Sequence, residues 1–294
     1  MASLPASLEN LALPGTGPWR SPVGGAPALD LTTLTARAQM PPVTLSKTAS
    51  FAWPGGARAA ISLTYDDAVP TQRGNAARQL GERGLAGTFF LTGTSPDLRA
   101  HRREWRNVLA AGHELGSHTM HHPCDGSHVW VPRGYTTQDY DLPRMGAELD
   151  ETLKLLEELG APPPFTFAYP CGETRVGKEP QSYVELVAPR FLAARSTQPR
   201  IADPFEDALE LVPAHDGART PAELIALVDE AEATGGWLVL LFHGVGGDHL
   251  AVTLDAHAGL LDHLSQRRET IWTERFGAVA AHVQSRRELA SSAQ

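Results

Sequence analysis

Short apolar stretches alternate with segments of helical periodicity from residue 58 almost to the end of the chain. The apolar stretches have the length and composition of buried strands and lie at residues 59–65, 86–92, 113–118, 165–169, 191–194, 237–242 and 270–272. The predicted helices lie at residues 75–84, 102–111, 143–160, 183–188, 221–234, 252–266 and 277–284. Repeated strand–helix units predict an α/β fold with a parallel sheet, open or closed into a barrel.

The beginning of the chain shows no sustained period. Residues up to position 57 are rich in Pro, Gly, Ala, Ser and Thr, which predicts an irregular N-terminal extension at 1–57 over a single domain at 58–294. The segment Trp53-Pro54-Gly55-Gly56 has the composition of a turn leading into the first strand.

Composition and charge exclude several classes of function. A chain of 294 residues with 42% hydrophobic content can bury a substantial core. Its net charge of −9 gives no electrostatic support for nucleic-acid binding. The longest apolar stretch, 237–242, is far shorter than the roughly 20 residues of a membrane-spanning helix, so no membrane partner is expected. The N-terminus lacks the pattern of a signal peptide, which predicts a cytoplasmic protein, or a secreted one if a leader has been removed.

The chain has two cysteines, Cys124 and Cys171. Two are too few for a disulfide framework, and their spacing is not that of a zinc finger. They could pair with each other, ligate a metal or simply pack in the core.

The strand at 59–65 ends in two adjacent carboxylates, Asp66 and Asp67. Adjacent side chains of an extended segment point to opposite sides, so the two cannot share one role unless the backbone turns. One metal ligand and one proton acceptor is a natural division. An Asx turn or a helix cap would also explain an Asp pair at this position.

Two histidines, His118 and His122, follow the strand at 113–118. If the chain makes one helical turn there, the two lie on one face about 6 Å apart along the axis and can share one ion. Two neutral imidazoles and a carboxylate form the shell typical of catalytic zinc, with a position left for water. A buried or solvated pair without a metal is the alternative, and His121 is expected to point elsewhere.

Polar residues follow four of the predicted strands in turn. They are the Asp pair, the His pair, residues 169–172 and His243, which comes after the apolar stretch 237–242. A lone His243 would normally be a structural histidine. Catalytic groups cluster where parallel strands end, so four polar strand ends indicate one active site.

These segments resemble the motifs of the carbohydrate esterase family 4 polysaccharide deacetylases, which have a NodB homology domain. The first motif of that family, T-F-D-D-G, resembles residues 64–68. The second, a His followed by Ser or Thr, two residues of any type, His and Pro, resembles residues 118–123. The third, R-x-P-Y-G, is matched in part by residues 168–172, and the fifth, a hydrophobic pair before His, by residues 241–243. The similarity spans roughly residues 58–284.

The resemblance implies a distorted (β/α)7-type barrel and one divalent metal ion, most often zinc, with cobalt or nickel as alternatives. Carried over by position, the metal ligands are Asp67, His118 and His122. The resemblance implies that Asp66 is the general base and His243 the general acid.

Further roles follow from the same resemblance. The metal and the backbone N–H of Cys171 would stabilise the oxyanion. Leu241 and similar apolar neighbours would form the acetyl pocket, and Tyr169 and Pro170 would contact the substrate. Trp130, in a polar loop after the second motif, is the candidate for stacking on a sugar ring.

The chain departs from the family pattern in the third motif. The family's arginine, which pairs with the catalytic Asp, is Ala168 here, and the tyrosine of the motif is Cys171. Arg195 could supply the missing charge from another strand, or it could be a surface ion-pair residue.

The function implied by the resemblance is metal-dependent removal of N- or O-linked acetyl groups from a carbohydrate, with an acetylated glycan as the partner. Two alternatives stay open. One is hydrolysis of a non-carbohydrate amide on the same fold. The other is a catalytically silent carbohydrate-binding protein, suggested by the missing arginine of the third motif.

Overall fold

The computed structural model describes residues 51–292. Of the predicted N-terminal extension, residues 1–50 therefore lie outside the described residues. The helices are α1 Ala77–Glu82, α2 Pro96–Ala100, α3 Arg102–Ala110, α4 Leu142–Leu159, α5 Val184–Val187, α6 Pro221–Thr234, α7 Leu254–Gln266 and α8 Phe276–Ser292. The strands are β1 Ala59–Asp66, β2 Thr88–Leu91, β3 Glu114–Ser117, β4 Thr166–Ala168, β5 Arg175–Val176, β6 Gln181–Ser182, β7 Ala193–Arg195, β8 His215–Asp216, β9 Trp237–Phe242 and β10 Ile271–Thr273.

A curled parallel sheet with helices packed around it organises the fold, as the alternating pattern predicts. The strand order is β7-β4-β3-β2-β1-β9-β8, β10 pairs with β1, and every pairing in this sheet is parallel. The sheet curls into a half-barrel. The segment 212–216 lies between the two ends of the curl: Val212 forms a parallel bridge with Arg195 of β7, and β8 pairs with β9.

Strand β1 occupies the centre of the sheet. Its eight residues are all buried, and β9 pairs with it from Ala60 to Tyr65. The other edge of β1 is shared, with β10 alongside its first residues and β2 alongside Thr64–Asp66. A parallel strand covered on both faces needs a nearly continuous apolar run, which explains the composition of this stretch.

Local signals set the ends of the long helices. Helix α6 has the predicted bounds, with a capping box between Thr220 and Glu223 at its start and Gly235 in the left-handed conformation at its end. Asp141 caps α4 by accepting a hydrogen bond from the backbone N–H of Arg144. These are the caps that a sequence can signal.

Several elements differ from the predictions. A π-helical turn at Gln72–Ala76 precedes α1, α5 has only four residues, and α8 extends to Ser292 rather than ending at 284. Helix α2, strand β8 and the β5–β6 hairpin were not predicted. Elements of two to five residues carry too few positions to establish a period.

The predicted turn before β1 is a short 3-10 turn, Pro54–Gly56. Phe51 and Trp53 before it are buried, and the Trp53 ring lies 6.2 Å from the ring of Trp272. Among the described residues, no helix combines the length and the apolarity needed to cross a membrane.

A polar network is buried beside β1. The hydroxyl of Tyr65 lies 2.7 Å from Nε2 of His257, and Nδ1 of His257 lies 2.7 Å from the side-chain oxygen of Gln79. These partners match a neutral imidazole that donates through Nδ1 and accepts at Nε2. Burial lowers the pKa of His257 to about 3.

Truncation of Leu149 on the buried face of α4 should strongly destabilise the protein. Leu149→Ala removes a fully buried side chain, and a loss of about 2–5 kcal/mol in the free energy of unfolding is expected. Leu289→Ala on α8 is the matched control, because Leu289 is 58% exposed, and a change within about 0.5 kcal/mol is expected. Urea unfolding of both variants measures the difference. Equal effects would contradict the assignment of this helix face to the core.

Acidification should destabilise the protein partly through His257. Because its pKa is lowered to about 3 in the folded state, only the unfolded chain binds this proton between that pH and about 6.5. The stabilisation is complete above pH ~6.5 and is lost on acidification, by up to about 1.4 kcal/mol per pH unit. His257→Gln should flatten the dependence, as measured by urea unfolding at pH 7.5 and 5. An identical dependence in both proteins would refute this account.

Candidate active site

The carboxyl ends of the parallel strands form one edge of the sheet, here called the mouth. The two carboxylates at the end of β1 both face this mouth because the backbone turns there. Asp67 and the next residue, Ala68, have φ angles of 81° and 55°. The turn is held by a hydrogen bond from the N–H of Asp67 to the carbonyl of Phe90 (3.1 Å) and by one from the hydroxyl of Ser95 to the carbonyl of Ala68 (2.8 Å). Asp66 and Asp67 each place a carboxylate oxygen 3.7 Å from Nε2 of His118.

The two histidines come together, but not on a helical turn as expected. After β3 the chain takes an irregular path in which Thr119 and His122 have φ angles of 62° and 54°. This path brings Nε2 of His122 to 3.1 Å from Nε2 of His118. The hydroxyl of Thr119 accepts the backbone N–H of His122 at 2.9 Å and stabilises the turn.

Buried Glu148 of α4 supports this loop from behind. It accepts a 2.7 Å hydrogen bond from the backbone N–H of His121 and another from the hydroxyl of Tyr140. The His121 ring stacks on Tyr135 with a centroid distance of 4.5 Å. His121 therefore points away from the other two imidazoles, as predicted.

Asp67, His118 and His122 form one group of side chains that could hold a metal ion. Among the described residues, Asp67 forms a second such group with His243 and His249. Oδ1 of Asp67 lies 3.3 Å from Nε2 of His122 and 3.7 Å from Nε2 of His118. Ligand atoms of a tetrahedral zinc shell with bonds of about 2.0–2.2 Å are separated by roughly 3.3–3.6 Å, so both distances lie within about 0.1 Å of this range.

The protonation of His118 also suits a ligand. Its Nδ1 donates to the carbonyl of Ala168 at 2.8 Å, which leaves the lone pair of Nε2 directed toward the other two groups. Complete burial lowers its pKa to about 4, so the imidazole is neutral near pH 7.

Arg195 supplies the positive charge that position 168 lacks. It ends β7 and pairs in register with Ala168 of β4, so both side chains leave the same face of the sheet. Its guanidinium is fully buried and donates a charge-assisted hydrogen bond to Oδ2 of Asp66. The alternative of a surface ion pair is therefore wrong. Oδ1 of Asp66 is buried and has no hydrogen-bond partner in the described part of the chain.

His243 lies directly after β9, with its Nε2 3.8 Å from Oδ2 of Asp67. Burial lowers its pKa, although the nearby carboxylates act in the opposite direction. The structure thus brings His243 to the same mouth as the Asp pair and the His pair.

A fourth imidazole, that of His249, was not predicted. Its Nε2 lies 2.7 Å from Oδ2 of Asp67, and the pKa of His249 is raised by this hydrogen bond. Burial by itself would raise the pKa of Asp67, but the His249 hydrogen bond and the charges of the other imidazoles lower it well below its usual value. The sequence signals the loop that carries His249 only through the glycines that follow His243, which are typical of a tight turn.

The two cysteines form a disulfide, with a Cα–Cα distance of 5.9 Å. Of the three uses left open by the sequence, pairing is thus the one observed. The bridge joins the loop just after His122 to the turn Pro170–Gly172 after β4. Cys171 has a φ of 53°, and Sγ of Cys124 lies 3.5 Å from Nδ1 of His122.

The predicted substrate contacts differ in accessibility. Leu241 and Pro170 are buried near the mouth, whereas the Tyr169 ring is fully buried and its hydroxyl donates to the carbonyl of Glu210 at 3.0 Å. Tyr169 has no exposed side-chain surface with which to touch a substrate. Trp130 is 57% exposed, and its ring centroid lies 5.8 Å from that of His122.

Comparison with known proteins finds a family match over part of the chain. The polysaccharide deacetylase family model matches residues 47–181, which include both carboxylates and both clustered histidines but end before Arg195 and His243. A Bacillus gellan lyase is 26% identical in an alignment 261 residues long, which covers 80% of this chain and 10% of that protein. The chain therefore spans about a tenth of that relative.

Solved structures share the fold at low sequence identity. A protein described as a polysaccharide deacetylase from Mycobacterium smegmatis aligns with a TM-score of 0.59 at 18% identity, covering 81% of this chain and 94% of its own. A family 4 carbohydrate esterase from Streptomyces lividans, solved with acetate, gives 0.51 at 17% identity over 74% and 92% of the two chains. A peptidoglycan deacetylase from Bacillus subtilis gives 0.50 at 16% identity over 79% and 95%. The family match and the shared fold confirm that this chain resembles the polysaccharide deacetylases of carbohydrate esterase family 4.

Proposed function

We propose that the protein is a metal-dependent hydrolase that removes N- or O-linked acetyl groups from a carbohydrate. The observation that carries the proposal is the convergence of Asp67, His118 and His122 on one point, with the Asp66–Arg195 pair beside it. Hydrolysis by a metal-activated water requires a set of metal ligands and a nearby proton acceptor, and both lie at this mouth.

The three converging side chains would hold one divalent ion. When bound, such an ion lowers the pKa of a coordinated water and polarises the acyl oxygen. Two imidazole nitrogens and one carboxylate oxygen favour zinc, with cobalt and nickel as alternatives. The neutral state of His118 and its bond to the Ala168 carbonyl support a ligand role.

Asp66 would act as the general base. Arg195 engages Oδ2, and Oδ1 keeps a free lone pair that can accept a proton from the attacking water. The buried ion pair fixes the orientation of the carboxylate, so Arg195 acts as a positioning residue.

The backbone N–H of Cys171 would stabilise the developing oxyanion. The turn that carries it follows β4 directly and is joined to the loop of His122 by the disulfide, so the donor is held near the metal ligands. His243 would then give a proton to the departing nitrogen or oxygen. Its place at the end of β9, near Asp67, supports this role.

The surroundings of the mouth support a small acyl group on a sugar. Leu241 and Pro170 would provide apolar surface for a methyl group, and the exposed ring of Trp130 offers a face for stacking on a sugar. The solved structure of the Streptomyces lividans relative contains acetate, and the Bacillus subtilis relative is a peptidoglycan deacetylase. The disulfide is typical of oxidising compartments, which favours the secreted alternative.

The alternative of a silent carbohydrate-binding protein rested on the missing arginine of the third motif. Arg195 occupies the equivalent place in the neighbouring strand, so that reason no longer applies. Hydrolysis of a non-carbohydrate amide uses the same residues and is separated by the choice of substrate in the test below.

Acetate release from acetylated glycans and from simple acetamides, with zinc, cobalt or nickel added, tests the proposal. We expect zinc-dependent turnover of a glycan, loss of activity with a chelator, and a fall in kcat of about 10²–10⁴-fold in Asp66→Asn with the metal still bound. Asp262→Asn, at an exposed carboxylate paired with Arg83, is the control and should keep full activity. Turnover of acetamides alone, or equal activity of the Asp66 variant and wild type, would overturn the proposal.

The position of the positive charge gives a second test. Arg195→Ala leaves the buried Asp66 unpaired and should cost about 3–5 kcal/mol of stability, together with a large loss of kcat. Adding Ala168→Arg moves the guanidinium to the neighbouring strand in register and should recover part of both. Thermal unfolding and acetate release measure the recovery. A double variant no better than Arg195→Ala would show that the cation works only from β7.

A further inference from the structure

We infer that His249 is a positioning residue for Asp67, which it holds so that the other carboxylate oxygen faces His118 and His122. The inference deepens the proposed function and rests on it, because it assigns to His249 a role in metal affinity. His249 lies outside the motifs that pointed to the site.

The two oxygens of Asp67 face different partners. Oδ1 lies 3.3 and 3.7 Å from the Nε2 atoms of His122 and His118, and it accepts a 3.4 Å hydrogen bond from the hydroxyl of Thr92. Oδ2 lies 2.7 Å from Nε2 of His249. With one oxygen held on each side, the carboxylate cannot rotate freely, and Oδ1 stays directed at the imidazole pair.

Removal of His249 would leave Oδ2 without a comparable partner. Nε2 of His243 is 3.8 Å away, beyond hydrogen-bond distance. Asp67 also sits in a left-handed turn, with a φ of 81°, where the backbone alone does not determine the carboxylate orientation. The imidazole therefore supplies an orientation that the turn does not.

The loop that carries His249 is built to hold it, although the side chain is half-exposed. The N–H of Gly244 donates to the carbonyl of His249 at 3.1 Å, and the N–H of Val252 donates to the carbonyl of Gly244 at 3.0 Å. A Cβ on Gly244 would come within 1.9 Å of the carbonyl oxygen of Gly247, so this close approach requires glycine.

The same loop is tied to the segment that follows Asp67. The backbone N–H of Thr71 donates to Oδ2 of Asp248 at 2.9 Å, and the N–H of Val245 donates to the hydroxyl of Thr71 at 3.1 Å. These bonds place the loop and the Asp67 turn in a fixed relation. His249 therefore reaches Asp67 as part of a small, internally bonded unit.

Groups that hydrogen-bond to metal ligands typically change metal affinity by about 10–100-fold. We expect the zinc affinity of the His249→Ala variant to fall by a factor of that size. In His249→Gln, the amide can still donate to Oδ2, so most of the affinity should return.

Zinc affinity of the full chain, measured by competition with a chromogenic chelator, tests the inference in wild type, His249→Ala and His249→Gln. The absorption spectrum of the cobalt-loaded protein reports ligand geometry and should change in the alanine variant more than in the glutamine variant. His101→Ala is the matched control, because His101 is also a partly exposed imidazole beside a carboxylate, 3.0 Å from Asp97, outside this mouth. It should keep its zinc affinity within twofold.

Three other outcomes would contradict the positioning role, the proposed function or both. If wild type binds zinc and His249→Ala binds it within twofold of wild type, the positioning role is wrong and the proposed function stands. If wild type binds two equivalents and the alanine variant one, His249 is itself a ligand, which also overturns the positioning role. If wild type binds no zinc, cobalt or nickel, the proposed function fails and the inference fails with it.

Discussion

The candidate site depends on the parallel pairing of β1 with its neighbours. Because the strands run in one direction, the segments that follow β1, β3, β4, β7 and β9 all begin at the same edge of the sheet. Strand β1 is buried and paired along both edges, so the turn at Asp66 and Asp67 starts from a rigid base. Groups that are far apart in sequence therefore meet at this edge.

The charges at this edge are arranged in compensating pairs. The buried guanidinium of Arg195 faces Asp66, and Asp67 is surrounded by imidazoles. A buried charge without a partner is strongly destabilising, so each carboxylate needs its own neighbour. This division keeps the two acids distinct. Asp66 is bonded to a permanent cation, and Asp67 faces imidazoles that could hold a metal ion with it.

The sequence predicted the parts of the site that depend on local patterns. The apolar run of β1 followed by two acids and the alternation of strands and helices needed no tertiary information. The helical turn considered between His118 and His122 was wrong, because Thr119 and His122 adopt positive φ angles. A positive φ angle is uncommon for residues other than glycine, especially for a β-branched residue such as Thr119.

Other features depended on the register of the sheet or on long-range contact. The sequence alone is compatible with Arg195 at the surface. The pairing of β7 with β4 shows that it lies beside position 168. His249 reaches Asp67 across 182 positions, from a loop without a period. The pairing of Cys124 with Cys171 likewise requires the two loops to meet in space.

The disulfide gives the mouth a covalent restraint that the sheet does not share. Its cysteines are 47 positions apart and enclose all of α4, and closing a loop of that length removes about 4 kcal/mol of chain entropy from the unfolded state. Neither cysteine belongs to a strand of the parallel sheet. A thiol reductant would therefore loosen the loop after His122 and the turn after β4, which the disulfide joins. The backbone hydrogen bonds of the parallel sheet beneath them would remain.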